Sequence, residues 1–132
     1  MTEDPCPFCE IVAGRAEAQI VEEWDDALAI VPLGPVVPGH ILVIPKVHVA
    51  DFTTDPTITG TTAQRAAELA RDLDLVAANL ITSKGPEATQ SVYHLHLHLI
   101  PRSWGDGLAL PWHSGKTTKK GKTTCQSHRR TL

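Results

Sequence analysis

From Tyr93 to Ile100 the chain reads Tyr-His-Leu-His-Leu-His-Leu-Ile, with histidine and leucine alternating three times. Period-two alternation is the pattern of a half-buried strand, because successive side chains point to opposite faces. A strand from Val92 to Ile100 would therefore put Leu95, Leu97 and Leu99 into a core and His94, His96 and His98 on the other face. The strand rise sets neighbouring histidines on that face roughly 6.6 Å apart, within reach of one small group. Phosphate is such a group: it accepts hydrogen bonds from imidazole, and an unprotonated ring nitrogen can attack its phosphorus. A His-X-His pair on a strand also suits zinc with an open position for hydrolysis. The motif alone fits both, and the plain alternative is three histidines on a solvated face.

The rest of the chain supplies the sheet such a strand needs. "EIVAGR" reads as a short helix ended by Gly14, and "QIVEEW" with "DALAIV" as a hairpin turning at Asp25 and Asp26. A proline-punctuated loop, "PLGPVVPGH", leads to "ILVIP", a buried strand too short and too β-branched for a helix. From Thr61 to Leu75, Ala63, Ala66, Ala67, Leu69, Ala70 and Leu73 recur at helical spacing without glycine or proline, which predicts the main helix. "AANLIT" is a further strand and "SKGPEAT" a loop. Five strands, one long helix and one short one make an α+β domain.

At 132 residues the chain has room for one core. No apolar run approaches the roughly 18 residues of a membrane helix; Ile41 to Ile44, for example, stops at Pro45. The opening "MTEDPCPFCE" is acidic and lacks the basic-then-apolar order of a signal peptide, so the expectation is a cytoplasmic protein with no membrane partner. Three cysteines, two of them in Cys6-Pro7-Phe8-Cys9, do not make a disulfide framework; the close pair points to metal binding or redox work. The net charge of -3 divides into about -9 for residues 1–112 and +6 for residues 113–132. The basic, Thr- and Gly-rich tail is expected to be disordered and solvated, and the acidic body argues against nucleic acid as partner.

"QSVYHLHLHLIPR" resembles the signature of the histidine triad (HIT) superfamily, and "PVVPGHILVIPKVHV", Pro35 to Val49, resembles that family's other shared block. Order and spacing agree, and the likeness covers about residues 6–112. It implies a five-stranded antiparallel sheet with one long and one short helix, dimerising into a ten-stranded sheet, with the helix Thr61 to Leu75 a candidate for part of the dimer contact. It also implies hydrolysis or transfer at the α-phosphate of a nucleotide conjugate, a nucleoside phosphoramidate or a dinucleoside polyphosphate.

Carried over residue by residue, the resemblance makes His96 the nucleophile and forms a nucleotidyl-histidine intermediate, with His98 and Ser91 as further catalytic groups. Substrate-binding positions are His40, Ser83, Gln90, His98, Phe8 and Leu33. Cys6, Cys9, His48 and His94 match a structural zinc site of bacterial members, one ion per chain with four protein ligands and no open position. The chain departs from the family at Pro32, where an Asp or Asn usually holds the ribose, at Ser83, commonly Asn or Gln, and at Thr89, frequently glycine. A zinc hydrolase with metal on the triad and a non-catalytic nucleotide-binding module remain the alternatives.

Overall fold

The computed structural model describes residues 5–118. The expected disorder of the tail falls, from residue 119 onward, outside the described residues. The chain divides after Pro101 into two compact units, Met1–Pro101 and Arg102–Leu132.

The first unit is the α+β fold. Five strands, β1 (Ile20–Glu23), β2 (Ala27–Ile30), β3 (Ile41–Pro45), β4 (Ala78–Ile81) and β5 (Leu97–Pro101), form one antiparallel sheet in the order β1-β2-β3-β5-β4. The hairpin turns at Asp25 and Asp26 as expected, and β1 carries a bulge between Ile20 and Glu22.

Two helices cover opposite faces. Every side chain of β2 and β3 is buried, so their alternation feeds two cores. Ala29, Ile41, Val43 and Leu99 pack with Ala66 and Leu69 of the long helix α2 (Pro56–Asp72). Leu28, Ile30, Leu42 and Ile44 pack with Phe8 of the short helix α1 (Pro7–Val12). Val49, Leu95 and Leu97 form a third cluster against Ile58 and Ala63.

Element boundaries correct the sequence reading in three places. The main helix begins five residues earlier than Thr61 and ends at Asp72, before Leu75. Asp55 caps it through bonds from the Thr57 and Ile58 N–H groups, and Pro56 takes the first turn, where a missing N–H costs nothing. Capping and burial carry Gly60 inside the helix despite its low propensity. The short helix starts at Pro7 rather than Glu10, and Gly14, at φ +79°, sits just past its end.

The third correction concerns the strand expected over Val92 to Ile100. Only Leu97–Pro101 is paired, and residues 92–96 approach along the sheet without joining the ladder. The alternation survives nonetheless: Leu95, Leu97 and Leu99 are buried, and the Leu95 N–H donates to the Val49 carbonyl at 2.8 Å.

In the second unit, Arg102 holds Asp106 through two hydrogen bonds and also donates to the Leu108 carbonyl. That ion pair, with the Ser103 and Leu108 N–H groups, holds the Asp106 carboxyl far below the usual range. The Leu110–His113 bridge and the Gly107-to-Gly115 hydrogen bond bring residues 113–115 into this unit.

Candidate functional site

The three alternating histidines go to different partners. His94 is fully buried, and its Nε2–H donates to the Pro45 carbonyl at 2.9 Å, at the end of β3. Its Nδ1 then carries a lone pair. Around that atom stand Cys6 Sγ at 3.4 Å, Cys9 Sγ at 3.5 Å and His48 Nδ1 at 3.1 Å, with Cys9 Sγ 3.2 Å from His48 Nδ1. One lone pair accepts one good hydrogen bond, so three groups converging on it are better explained by a shared cation.

The spacing fits a metal. Tetrahedral coordination with sulfur at about 2.3 Å and nitrogen at about 2.0 to 2.1 Å gives S···N edges near 3.6 Å and N···N edges near 3.3 Å. The four ligand atoms all lie within 4.8 Å of one another, and the four separations given above, 3.1 to 3.5 Å, come within about 0.4 Å of those edges. Burial, followed by the hydrogen bond and charge of Cys6, pushes the Cys9 thiol up to about 11. A cation reverses that preference, because the ligating sulfur must be a thiolate. Local structure prepares the corner: the Cys6 sulfur caps α1 by accepting from the Cys9 N–H, so one helical turn aims both sulfurs at His94.

His96 lies outside this cluster. Its Nδ1–H donates to the His94 carbonyl at 2.7 Å; since a carbonyl only accepts, the lone pair of the neutral ring sits on Nε2. Phe8 packs edge-on against His94 and His96, with ring centroids 5.7 Å and 5.1 Å away. The Thr82 hydroxyl, just past β4, donates to the His96 carbonyl at 2.8 Å, a bond that replaces ladder pairing where β4 and β5 part.

His98 is the one triad histidine on a strand, opposite Leu42 of β3. It faces His40, with Nδ1 and Nε2 at 3.0 Å, and its ring centroid is 5.2 Å from that of His96. His40 Nδ1 accepts the Val36 N–H at 3.1 Å, so neutral His40 carries its proton on Nε2 and donates it to His98 Nδ1. The His98 proton is thereby placed on Nε2. Burial, then the charges of His96 and His40, bring the His98 imidazole down to about 4, and burial lowers His40 as well. The cluster therefore offers one nucleophilic lone pair beside one neutral N–H donor.

The remaining sequence-derived positions scatter more widely. Ser83 is half-buried and Ser91 exposed. Leu33 is completely exposed. Gln90 is buried with its amide committed to backbone, donating to the Ala50 and Val92 carbonyls and accepting from the Gly85 N–H, so it clasps the loop before the triad. Gly39, at φ +89°, comes so close to Pro101 that a Cβ would lie 3.1 Å from its ring, which fixes the turn delivering His40. Three orienting groups went unread in the sequence: the Pro45 carbonyl, the Val36 N–H and the Thr82 hydroxyl. The first two are backbone atoms, and no spacing rule marks the third.

A sheet with helices on both faces, a Cys2His2 corner able to hold a metal ion and an adjacent histidine cluster define a small α+β protein. The HIT domain model matches residues 13–104, and the chain belongs to that family. The uncharacterized HIT-like protein Rv1262c of Mycobacterium tuberculosis is 40% identical over 111 residues, covering 80% of this chain and 77% of that protein. Adenylylsulfatase HINT3 of Arabidopsis thaliana is 30% identical over 139 residues, covering 98% and 71%. A zinc-bound histidine triad family protein from Mycobacterium smegmatis is 40% identical, with a TM-score of 0.68 and 80% of each chain covered.

Proposed function

We propose that the protein hydrolyses nucleotide conjugates at the α-phosphate, with His96 Nε2 as nucleophile. The observation that carries this reading is the 2.7 Å bond from His96 Nδ1–H to the His94 carbonyl, which leaves Nε2 as the attacking lone pair. In the first step Nε2 forms a bond to phosphorus, the bond to the leaving group breaks, and a departing amine takes up a proton from solvent, which the later attack of water returns. Exposed Ser91 is the hydroxyl assigned near that group. The His98 Nε2–H donates to a non-bridging phosphoryl oxygen as charge builds there. Water then attacks phosphorus, releases a proton and returns the pair to Nε2. A nucleoside phosphoramidate suits this site better than a dinucleoside polyphosphate, because the body is acidic and burial holds His98 and His40 toward the neutral form.

Cys6, Cys9, His48 and His94 would hold one structural zinc, whose chemistry is to tie the chain's start to β3 and fix His94. The metallohydrolase alternative, with metal on His96 and His98, is disfavoured by a donor set that gathers Cys6, Cys9, His48 and His94 and includes neither of them. Homodimerisation is part of the proposal. The edge strand β1 bears Glu22 and Glu23, whereas the opposite edge, β4, reads Ala-Asn-Leu-Ile with Leu80 half-exposed, the edge better suited to pairing with a second copy. Among the described residues no helix is long and apolar enough to cross a membrane, and a cytoplasmic location stays part of the reading.

The test is His96→Ala with adenosine 5'-phosphoramidate as substrate. We expect at least a thousandfold loss of kcat with folding unchanged, and in the wild type an adenylyl mass adduct on His96 after acid-free quenching. Retention of more than about a tenth of kcat, a difference of about 1.4 kcal/mol, would reject covalent catalysis at this residue.

A further inference from the structure

We infer that the subsite beside the histidine cluster does not distinguish ribose from 2'-deoxyribose, and that Pro32 is the residue that sets this. The inference rests on the nucleotide reading above. In a nucleoside 5'-phosphate the sugar begins one bond beyond the phosphate ester oxygen, so the wall next to His40 and His98 is the one that meets it.

The sheet register defines that wall. Ile30 pairs with Leu42, and Leu42 with His98; Ile30 and Leu42 belong to the Phe8 core, which places the row on the face that carries the cluster. The β2–β3 register carried two residues past Ile30 sets Pro32 across from His40. β2 stays extended past Ile30, since on its β1 side the Val31 N–H donates to the Gln19 carbonyl at 3.0 Å. Val31 and Ile41, with His40, Leu73 and Leu75, border a cavity of about 520 Å³ next to the end of α2, while Pro32 shares the parity of Ile30, which packs with Phe8 on the face of Leu42 and His98.

From Val31 to Gly39 the loop reads Val-Pro-Leu-Gly-Pro-Val-Val-Pro-Gly, nine residues with no hydroxyl, amide or carboxylate on any side chain. Pro32, Pro35 and Pro38 also lack an N–H, and the Val36 N–H is committed to His40. Leu33 and Val36 stand exposed on this loop. Such a wall offers apolar contact to a nucleoside and no side-chain partner for a sugar hydroxyl. Sites that hydrogen-bond a substrate hydroxyl reject the analogue lacking it by about 10⁴ to 10⁵, while apolar pockets discriminate weakly.

The experiment compares AMP with 2'-deoxy-AMP by calorimetry, and adenosine with 2'-deoxyadenosine 5'-phosphoramidate in turnover, on the full chain. We expect Kd and kcat/KM ratios within about threefold of unity. Pro32→Asp, whose carboxylate can accept from both vicinal hydroxyls, should raise the ribose preference at least tenfold; Pro32→Ser serves if that variant is unstable. A tenfold or greater ribose preference in the wild type overturns the inference, and a ratio unmoved in a folded Pro32 variant overturns Pro32 as its determinant. If both nucleotides bind equally and neither phosphoramidate turns over, the hydrolase reading falls and this one stands. Binding of neither overturns both.

Discussion

A histidine's job is decided by what its two nitrogens meet, and the triad shows three outcomes from one repeated dipeptide. The Pro45 carbonyl turns His94 Nδ1 toward sulfur, the His94 carbonyl frees His96 Nε2, and the Val36 N–H, acting through His40, sets the proton of His98. Replacing His98 by Asn should therefore lower kcat, by about ten- to a hundredfold, while leaving the His96 tautomer intact, a split that single-turnover kinetics and imidazole NMR shifts would read. The same residue gives a pH prediction. His98 sits at about 4 in the folded state against an ordinary 6.5, so the unfolded chain takes up the proton first. Stability is complete above about pH 6.5 and falls as pH drops from there to about 4. Scanning calorimetry across that window should show a falling Tm, less steep in His98→Asn; equal slopes would count against the buried neutral ring. The burial alternation of the histidine pattern and, through the family resemblance, the grouping of His94 with Cys6, Cys9 and His48 were legible in the sequence, but the tautomers were not, since each depends on backbone groups brought in by the fold.

Elements were legible wherever a local pattern and a core agreed. "ILVIP" and "ALAI" are strands buried on both faces, and their β-branched and small residues announce it. The long helix was misplaced because Gly60 hid its first turn, although Asp55-Pro56 is a sound start signal. Asp55→Ala should cost about 1 kcal/mol and lower Tm by about 3 to 5 °C, with the circular dichroism spectrum retained. The last strand was drawn too long because alternation reports burial, not pairing. Helix α1 is six residues, far too short to persist unaided, and depends on Phe8 packing and on the corner formed by its two sulfurs. Cys9→Ser should abolish stoichiometric zinc and lower Tm by at least about 5 °C, yet leave measurable kcat at low temperature, because His96 is oriented by a backbone carbonyl that the substitution does not touch. Zinc kept in Cys9→Ser but lost, together with activity, in His98→Ala would move the metal onto the triad instead.

For the whole molecule the question is what happens at the two open edges of the sheet. Unpaired N–H and C=O groups invite another strand, and charge on an edge discourages it. Glu22 and Glu23 protect β1, with Glu23 also engaged by Lys46 at 2.7 Å. Strand β4 carries no charge, Leu80 is 44% exposed, and Val76 just before it is fully exposed. Antiparallel pairing of β4 with its copy would continue the sheet to ten strands and cover these side chains without disturbing His98, whose partner Ile81 is already bonded within the sheet. The expectation is a particle of about twice 14.3 kDa by light scattering at micromolar concentration. Leu80→Lys should shift it to a monomer with its secondary structure intact, because two like charges would meet across the symmetric contact. Ile20→Lys, half-exposed on β1, should leave the dimer unchanged. A wild-type monomer, or a dimer broken by the β1 substitution and indifferent to the β4 one, would place the contact elsewhere.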